Sequence, residues 1–315
     1  MCTAVFFDGH YFGRTLDHPM SYGEELVFTP RNFPLPFRQV RDLGHHHGIL
    51  GMAHVAEGYP LYYDAMNEHG LCMAGLHFGS LARYGGNARD RIAAFELIPW
   101  ILGQCETAAQ ARELLDRLCL TQEDFSDELP AVPLHWLLAD RHACLTIESM
   151  EGGLRVWENP VGVLTNAPAF DDQLRHLTNF LHLSPFPPRN RLAPEVTLEP
   201  FSLGMGAMGL PGDLSSQSRF VRAVFARSHA APGGVERFFH ILDTVRQTKG
   251  CCRLEDGGYE QTLYSSCCDM DLGIYCYTTC ANRRITAVDL RREDPEGEAL
   301  VRWHLLTEQD IQYQN

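Results

Sequence analysis

The chain has 315 residues, of which 45% are hydrophobic, and a formal net charge of -14 at pH 7. This apolar content can bury a large core, whereas the negative charge argues against a nucleic-acid partner, because phosphate binding needs clustered Lys and Arg. No apolar run approaches the roughly 20 residues that cross a bilayer, and the amino terminus lacks a signal peptide's basic and hydrophobic regions. We therefore expect a cytoplasmic protein without a membrane partner, whose 11 cysteines are reduced.

Cys2 directly follows the initiator methionine, so removal of Met1 would leave a thiol and a free α-amine on one residue. A free amino terminus titrates near about 7.7 to 8.0, so at neutral pH a useful fraction can accept a thiol proton. Small second residues are common, and this dipeptide alone is a weak signal. The residues that follow strengthen it.

An Asp8-Gly9 pair lies between two strand-like runs, Cys2 to Phe7 and His10 to Thr15. Asp-Gly between such runs is a strong signal for a β-hairpin with a two-residue turn. The sequence therefore predicts that position 2 begins a strand, which would hold the thiol more firmly than a loose terminus.

A two-residue turn would place Cys2 opposite Thr15, and Arg14 and Asp17 would then lie close to the thiol. A guanidinium there favours the thiolate, and a carboxylate can hold and orient the terminal amine.

Helices and strands then alternate in blocks. Two helices are predicted in the first half, Ile92 to Gly103 and a second that opens with the capping-box pattern Thr107-Ala108-Ala109-Gln110. An antiparallel meander follows at Leu134 to Leu138, Cys144 to Glu148, Leu154 to Trp157 and Val161 to Leu164. The last blocks are helices at Ser216 to Arg227 and Val235 to Gln247, then strands at Gln261 to Cys268, Gly273 to Thr279 and Ile285 to Leu290.

This alternation predicts an α+β fold in which helices cover two antiparallel sheets. The proline-rich stretch from His182 to Pro200 reads as a surface loop that is too short to separate independent units. We find no linker, and we expect one domain over residues 1–315.

Two other motifs suggest cofactors, but their surroundings argue against both. Gly204 to Gly209 matches G-x-G-x-x-G, yet neither a strand before it nor a helix opening on it is credible between Pro200 and Pro211. The run His45-His46-His47, with His54, has no carboxylate or cysteine at metal-ligand spacing. We expect neither a dinucleotide nor a metal.

Motifs spread over most of the chain resemble one known family. They are Met1-Cys2-Thr3, Phe12 to Asp17, Thr29 to Phe33, Met66 to Leu71, Ala74 to Leu76, Gly162 to Pro168 and Gly209 to Asp213 with Ser218-Arg219-Phe220. Together they resemble the choloylglycine hydrolases, which include conjugated bile salt hydrolases and penicillin V acylases among the N-terminal-nucleophile (Ntn) hydrolases.

The resemblance implies a four-layer αββα sandwich, a homotetramer, no cofactor and cleavage of a linear amide. It also implies a role for each matching residue. Cys2 matches the nucleophile and Arg14 the residue beside its sulfur. Asp17 matches the carboxylate that binds the freed amine, Asn166 an oxyanion-hole side chain, and Arg219 the second arginine of the site.

One position departs from the family pattern. His77 stands where bile salt hydrolases usually have Asn and penicillin V acylases often have Tyr. In the family this residue serves the oxyanion hole through its backbone N–H, which any residue except proline supplies. We expect conjugated bile salts as the substrate first, penicillin V second and other N-acyl amides third, with a non-catalytic small-molecule binder as the remaining alternative.

Overall fold

The computed structural model describes residues 1–86 and 88–315. Its strands are β1 Cys2–Phe7, β2 Tyr11–His18, β3 Glu25–Thr29, β4 Ile49–Ala56, β5 Tyr59–Asn67, β6 Cys72–His77, β7 Asp90–Ala93, β8 Leu118–Thr121, β9 Leu134–Ala139, β10 Cys144–Met150, β11 Gly153–Glu158, β12 Val163–Leu164, β13 Cys252–Arg253, β14 Tyr259–Asp269, β15 Ile274–Thr279, β16 Thr286–Asp289 and β17 Val301–His304. Its α-helices are α1 Leu97–Leu102, α2 Ala108–Leu115, α3 Phe170–His176, α4 Ser216–His229 and α5 Val235–Asp243.

Two large antiparallel sheets form the centre of the fold. The first has the strand order β12-β1-β2-β14-β15-β16, with β13 paired to β14, and the second has the order β11-β10-β9-β6-β5-β4-β3-β17. One apolar core contains residues of both sheets together with Phe220 of α4 and Phe238 of α5. A second core joins the other face of the second sheet to α1 and α2. Helices therefore flank two sheets, which confirms the predicted α+β sandwich.

Most predicted elements are present, and the local signals explain why. Helix α2 begins after Thr107, whose hydroxyl accepts a hydrogen bond from Gln110 N at 3.3 Å, as the capping box predicts. None of the helices described has the length and the apolar character that a membrane crossing requires.

The predicted helix from Ile92 to Gly103 is wrong at its start. Ile92 lies in β7, which pairs in parallel with β8, and the α-helix begins only at Leu97. The Glu96 carboxylate accepts a hydrogen bond from Ala93 N at 2.8 Å and so holds the chain extended up to Ala93. An apolar run of this length does not distinguish a buried strand from a helix.

The predicted meander is also one strand too long. Strands β9, β10 and β11 are adjacent in the second sheet, but β12 crosses to the first sheet and pairs with β1. The crossing follows a turn in which Gly162 has a positive φ of 58° and its carbonyl accepts from Phe6 N at 2.7 Å. This crossing brings Asn166, just after β12, toward the start of the chain.

The first hairpin forms at Asp8-Gly9 as predicted, but its register differs. Asp8 and Gly9 both have positive φ, 57° and 73°, and His10 N donates to Phe7 O at 3.2 Å, which defines a tight turn. The ladder, however, pairs Phe7 with Tyr11 and leaves His10 as an extra residue. A bulge of this kind shifts every later pair by one position.

This shift decides which side chains share a face with the thiol. Cys2 lies opposite Leu16, not opposite Thr15, and Arg14 lies opposite Ala4. Side chains alternate between the two faces of a strand, so a slip of one residue exchanges the faces. The observed register places Arg14 on the face of Cys2, whereas the predicted register would have placed it on the other face.

Candidate active site

Cys2 begins a strand that is held on both sides. Strand β1 pairs with β2 and with β12, and the Cys2 side chain is only 5% exposed. Met1 continues the ladder, because its amine donates to Asp17 O at 2.6 Å and its carbonyl accepts from Asp17 N at 2.9 Å. The amino terminus is thus an ordered part of the sheet, and a nucleophile at position 2 has a defined place.

Asp17 is fully buried beside this terminus. Its Oδ1 accepts from Thr262 Oγ1 at 2.6 Å, and its Oδ2 accepts from Thr15 Oγ1 at 3.2 Å and from Gln247 Nε2 at 3.3 Å. These three donors stabilise a carboxylate that has little access to water. Asp17 is therefore placed to act on an amine at the start of β1.

Burial also acts on the terminal amine. Desolvation lowers the pKa of the Met1 amine below its ordinary 8.0, although Cys2 and Asp17 oppose part of this effect. The Glu260 carboxylate contacts the same amine and is itself buried. An amine in this position is unprotonated at lower pH than a free terminus, which suits a base.

Arg14 is fully buried, and main-chain oxygens of both sheets hold its guanidinium. Its Nη1 donates to Tyr63 O at 3.1 Å and to Gly75 O, and its Nε donates to Thr15 O at 3.3 Å. The remaining nitrogen, Nη2, is buried without a hydrogen-bond partner among the described residues. Arg14 thus keeps one donor free on the face it shares with Cys2.

Negative or acidic groups surround this guanidinium. Burial opposes its charge, but the proximity of Cys2, Tyr264, Asp64 and Asp17 outweighs burial and raises the pKa of Arg14 above its ordinary value. Arg14 therefore stays positive under all ordinary conditions and favours a thiolate at Cys2.

The Asn166 side chain forms hydrogen bonds with three other residues of the site. Its Oδ1 accepts from Cys2 N at 2.9 Å and from Arg219 Nη2 at 2.7 Å, while its Nδ2 donates to His77 O at 2.8 Å. Its own N–H donates to Ser216 Oγ at 2.9 Å. Two donors on the oxygen and one acceptor on the nitrogen define the orientation of the amide, and the second Nδ2 hydrogen remains available.

The backbone of His77 lies against the side-chain amide of Asn166. His77 lies opposite Leu134, and the next bond in the ladder runs from Phe78 N to Pro133 O at 2.7 Å. His77 and Leu134 therefore form a non-hydrogen-bonded pair, so the N–H and C=O of His77 both point away from β9. Since the C=O meets Asn166 Nδ2, the N–H points toward Asn166 as well. These are the two groups that the resemblance places in an oxyanion hole.

Arg219 reaches the site from α4, and four of its five N–H donors have protein acceptors. Its Nη1 donates to Cys2 O at 2.6 Å and to Thr3 Oγ1 at 2.7 Å, its Nη2 to Asn166, and its Nε to Leu214 O at 3.0 Å. Every nitrogen of this buried guanidinium thus has a protein acceptor. The arrangement orients Cys2 and Asn166.

The structure therefore brings all six sequence-predicted residues together. The groups that hold them were not predicted from the sequence, and the chief ones are Thr262 at Asp17 and Asp64 beside Arg14. Thr262 lies on β14, which pairs with β2 through an irregular register between Thr262 and Tyr264. Asp64 accepts hydroxyl hydrogen bonds from Tyr264 and Tyr275, both at 2.6 Å. These contacts depend on long-range pairing and have no local sequence signal.

Contrary to the expectation from the sequence, a carboxylate lies near the histidine run. His47 Nδ1 is 3.2 Å from His69 Nε2 and 3.8 Å from Glu68 Oε1. Both Glu68 oxygens, however, already accept hydrogen bonds from Arg31, and Oε1 also accepts from Gly48 N at 2.9 Å. Two uncommitted imidazoles fall short of the about four ligands that zinc takes, and we assign no metal to this cluster.

Comparisons with known proteins agree with this geometry. Residues 2–302 match the model of the linear amide C-N hydrolases, choloylglycine hydrolase family. The chain is 48% identical over 317 residues to a bile salt hydrolase/transferase of Lactiplantibacillus plantarum, covering 98% of each chain. It is 31% identical over 319 residues to a bile salt hydrolase/transferase of Clostridium perfringens, covering 95% of each.

Two solved structures resemble this chain over nearly its whole length. The C2A mutant of a conjugated bile acid hydrolase from Clostridium perfringens superimposes with a TM-score of 0.93 at 29% identity, covering 100% of both chains. A penicillin V acylase from Agrobacterium tumefaciens has a TM-score of 0.74 at 18% identity, covering 98% of this chain and 92% of its own, which shows a shared fold.

Proposed function

The chain belongs to the linear amide C-N hydrolases of the choloylglycine hydrolase family, and from this premise we propose that it hydrolyses the amide of glycine- or taurine-conjugated bile salts. The observation that carries the proposal is the meeting of Asn166 with both Cys2 and His77, in a chain 48% identical to a bile salt hydrolase/transferase over nearly its full length.

Removal of Met1 precedes catalysis, because it frees the amine of Cys2. Burial favours a neutral amine, as it does for the Met1 amine, while the Asp17 carboxylate opposes part of this effect. The amine accepts the thiol proton, directly or through water, and the sulfur attacks the substrate carbonyl carbon. The positive charge of Arg14, on the same face, favours the thiolate.

The oxyanion forms when the carbonyl π bond opens, and it needs donors that are already oriented. The free Nδ2 hydrogen of Asn166 and the N–H of His77 supply them. Each such donor is typically worth about 3 kcal/mol in the transition state. Arg219 contributes by holding Asn166 in place.

The intermediate collapses when the C–N bond breaks and the protonated amine of Cys2 gives its proton to the departing glycine or taurine. Water then gives a proton to the Cys2 amine and forms a C–O bond with the thioester carbonyl carbon. The C–S bond breaks, the sulfur takes that proton back, and the bile acid leaves with a carboxyl group. No step needs a metal or an organic cofactor.

The experiment compares substrates on the purified protein. It measures release of glycine and taurine from conjugates of cholic acid, and release of 6-aminopenicillanic acid from penicillin V. Mass spectrometry of the same sample reports whether Met1 is absent. Release of 6-aminopenicillanic acid alone would favour the penicillin V acylase alternative. A retained Met1 with no turnover of any amide would favour a non-catalytic binder.

A second activity is favoured by the names of two relatives, which are hydrolase/transferases. An acyl thioester on Cys2 can pass its acyl group to an amine in place of water: the C–S bond breaks as in hydrolysis, and a C–N bond forms in place of the C–O bond. Adding a free amino acid to the reaction and finding its bile acid conjugate by mass spectrometry would support transfer. Finding only the free bile acid would support hydrolysis alone.

We also propose that residues 1–315 form a single domain, because residues of both sheets share one apolar core. We propose in addition that this domain loses Met1. A homotetramer and a cytoplasmic location stay predictions. Size-exclusion chromatography with light scattering tests the first of these.

A further inference from the structure

A buried histidine and a buried glutamate contact each other next to the two oxyanion donors. His135 and Glu148 are both fully inaccessible, with Nδ1 of the imidazole 3.3 Å from Glu148 Oε1. On its other side, His135 Nε2 is 2.8 Å from Thr165 O. Thr165 immediately precedes Asn166, so this imidazole lies one residue from the side chain that faces the nucleophile.

The partners of the ring determine where its hydrogens lie. Thr165 O can only accept, so His135 Nε2 carries a hydrogen. Nε2–H therefore donates to Thr165 O. The contact of Nδ1 with Glu148 Oε1 at 3.3 Å lies on the other side of the ring. Glu148 is fixed in turn, since its Oε1 accepts from Phe170 N at 3.0 Å.

The same ring also contacts the other donor segment. Phe78 stacks on His135 with ring centroids 4.2 Å apart and an interplanar angle of 15°. Phe78 directly follows His77, and His135 lies opposite Leu76 in the ladder between β6 and β9. One imidazole is therefore in contact with the chain on both sides of the oxyanion hole, through Thr165 and through Phe78.

We infer that His135 is a positioning residue for the oxyanion hole and that Glu148 fixes its ring for this purpose. The inference rests on the proposed amide hydrolysis. His135 touches no reacting atom. It sets the separation between the Asn166 amide and the His77 N–H, and a small displacement of either donor weakens the bond to the oxyanion.

Two matched substitutions separate the roles of the two ring nitrogens. In His135→Gln the side-chain amide reaches the position of Nε2 and can still donate to Thr165. In His135→Asn the amide stops near Nδ1, so the contact with Glu148 is kept and the bond to Thr165 is lost. We expect His135→Asn to lower kcat about tenfold or more. This loss is smaller than the roughly 10²-fold or larger loss that follows removal of a whole donor, because the donor is displaced and not removed. We expect His135→Gln to retain most of the kcat, and KM to change less than about twofold in both.

Two further measurements distinguish positioning from general support of the fold. Alkylation of Cys2 by iodoacetamide forms no oxyanion, so its rate should be the same in both variants as in the wild type. In an Asn166→Ala background one donor is already absent, so His135→Asn should cost less than about twofold. Slowed alkylation, or an undiminished loss in the Asn166→Ala background, would overturn the inference.

The same experiments separate this inference from the proposed function. If the wild-type protein releases neither glycine nor taurine from bile salt conjugates, the proposed function fails first. If the wild type does release them and the two His135 variants lose kcat equally, only the inference fails.

Discussion

Replacing Asn166 tests the centre of the site, because this one side chain does two separable things. Its Nδ2 is the free donor for an oxyanion, and its Oδ1 accepts from the buried Arg219 at 2.7 Å. Asn166→Ala removes both functions. Asn166→Asp has nearly the same shape and keeps the acceptor for Arg219, but it removes the donor and with it the hydrogen bond to His77 O.

The expected magnitudes differ for activity and for stability. Loss of one oxyanion donor lowers kcat about 10² to 10³-fold, or about 3 to 4 kcal/mol, in both variants. Asn166→Ala also leaves a buried Arg219 nitrogen without its acceptor, which lowers the free energy of unfolding by about 1 to 3 kcal/mol. Asn166→Asp avoids this second loss, because a carboxylate accepts the same hydrogen bond with added charge.

The assay measures kcat for release of taurine from a taurine conjugate at saturating concentration, together with urea unfolding of both variants. We expect a large loss of kcat in each, and a larger loss of stability in Asn166→Ala, because both variants lose the hydrogen bond to His77 O and only Asn166→Ala also loses the acceptor for Arg219. A kcat of Asn166→Asp within about threefold of the wild type would refute the oxyanion role. Equal loss of stability in both would refute the account of Arg219.

Three further predictions follow from named contacts. Cys2→Ala should abolish turnover without lowering stability, whereas the matched control Cys251→Ala, an exposed cysteine, should keep full activity. His77→Asn should keep kcat within about threefold, because the backbone N–H is unchanged, and a tenfold loss would give the imidazole itself a role. Hydrogen bonds from Ser215 and Ser218 lower the pKa of Asp213 to about 2, so its contribution is complete above its ordinary 3.8 and is lost as pH falls through about 2. The difference in unfolding free energy between wild type and Asp213→Asn should therefore shrink from about pH 5 to pH 2, and a constant difference would contradict this.

The sequence by itself determined the features that depend on neighbouring residues. Asp8-Gly9 specifies a turn because both residues tolerate positive φ. Thr107 and Gln110 specify the start of α2 because each satisfies the other's free N–H. The chemistry of Cys2 is equally local, since thiol and amine belong to one residue. The motifs then predicted the family, the fold and the six residues of the site.

Only the tertiary structure decided how those residues meet. The bulge at His10 set the register that brings Arg14 to the face of Cys2, and the crossing of β12 brought Asn166 to the amino terminus. Each nitrogen of the Arg219 guanidinium has a protein acceptor, and His135 is buried against Glu148. Each of these facts depends on strands far apart in sequence, whose pairing is set by the packing of both sheets and not by local propensity.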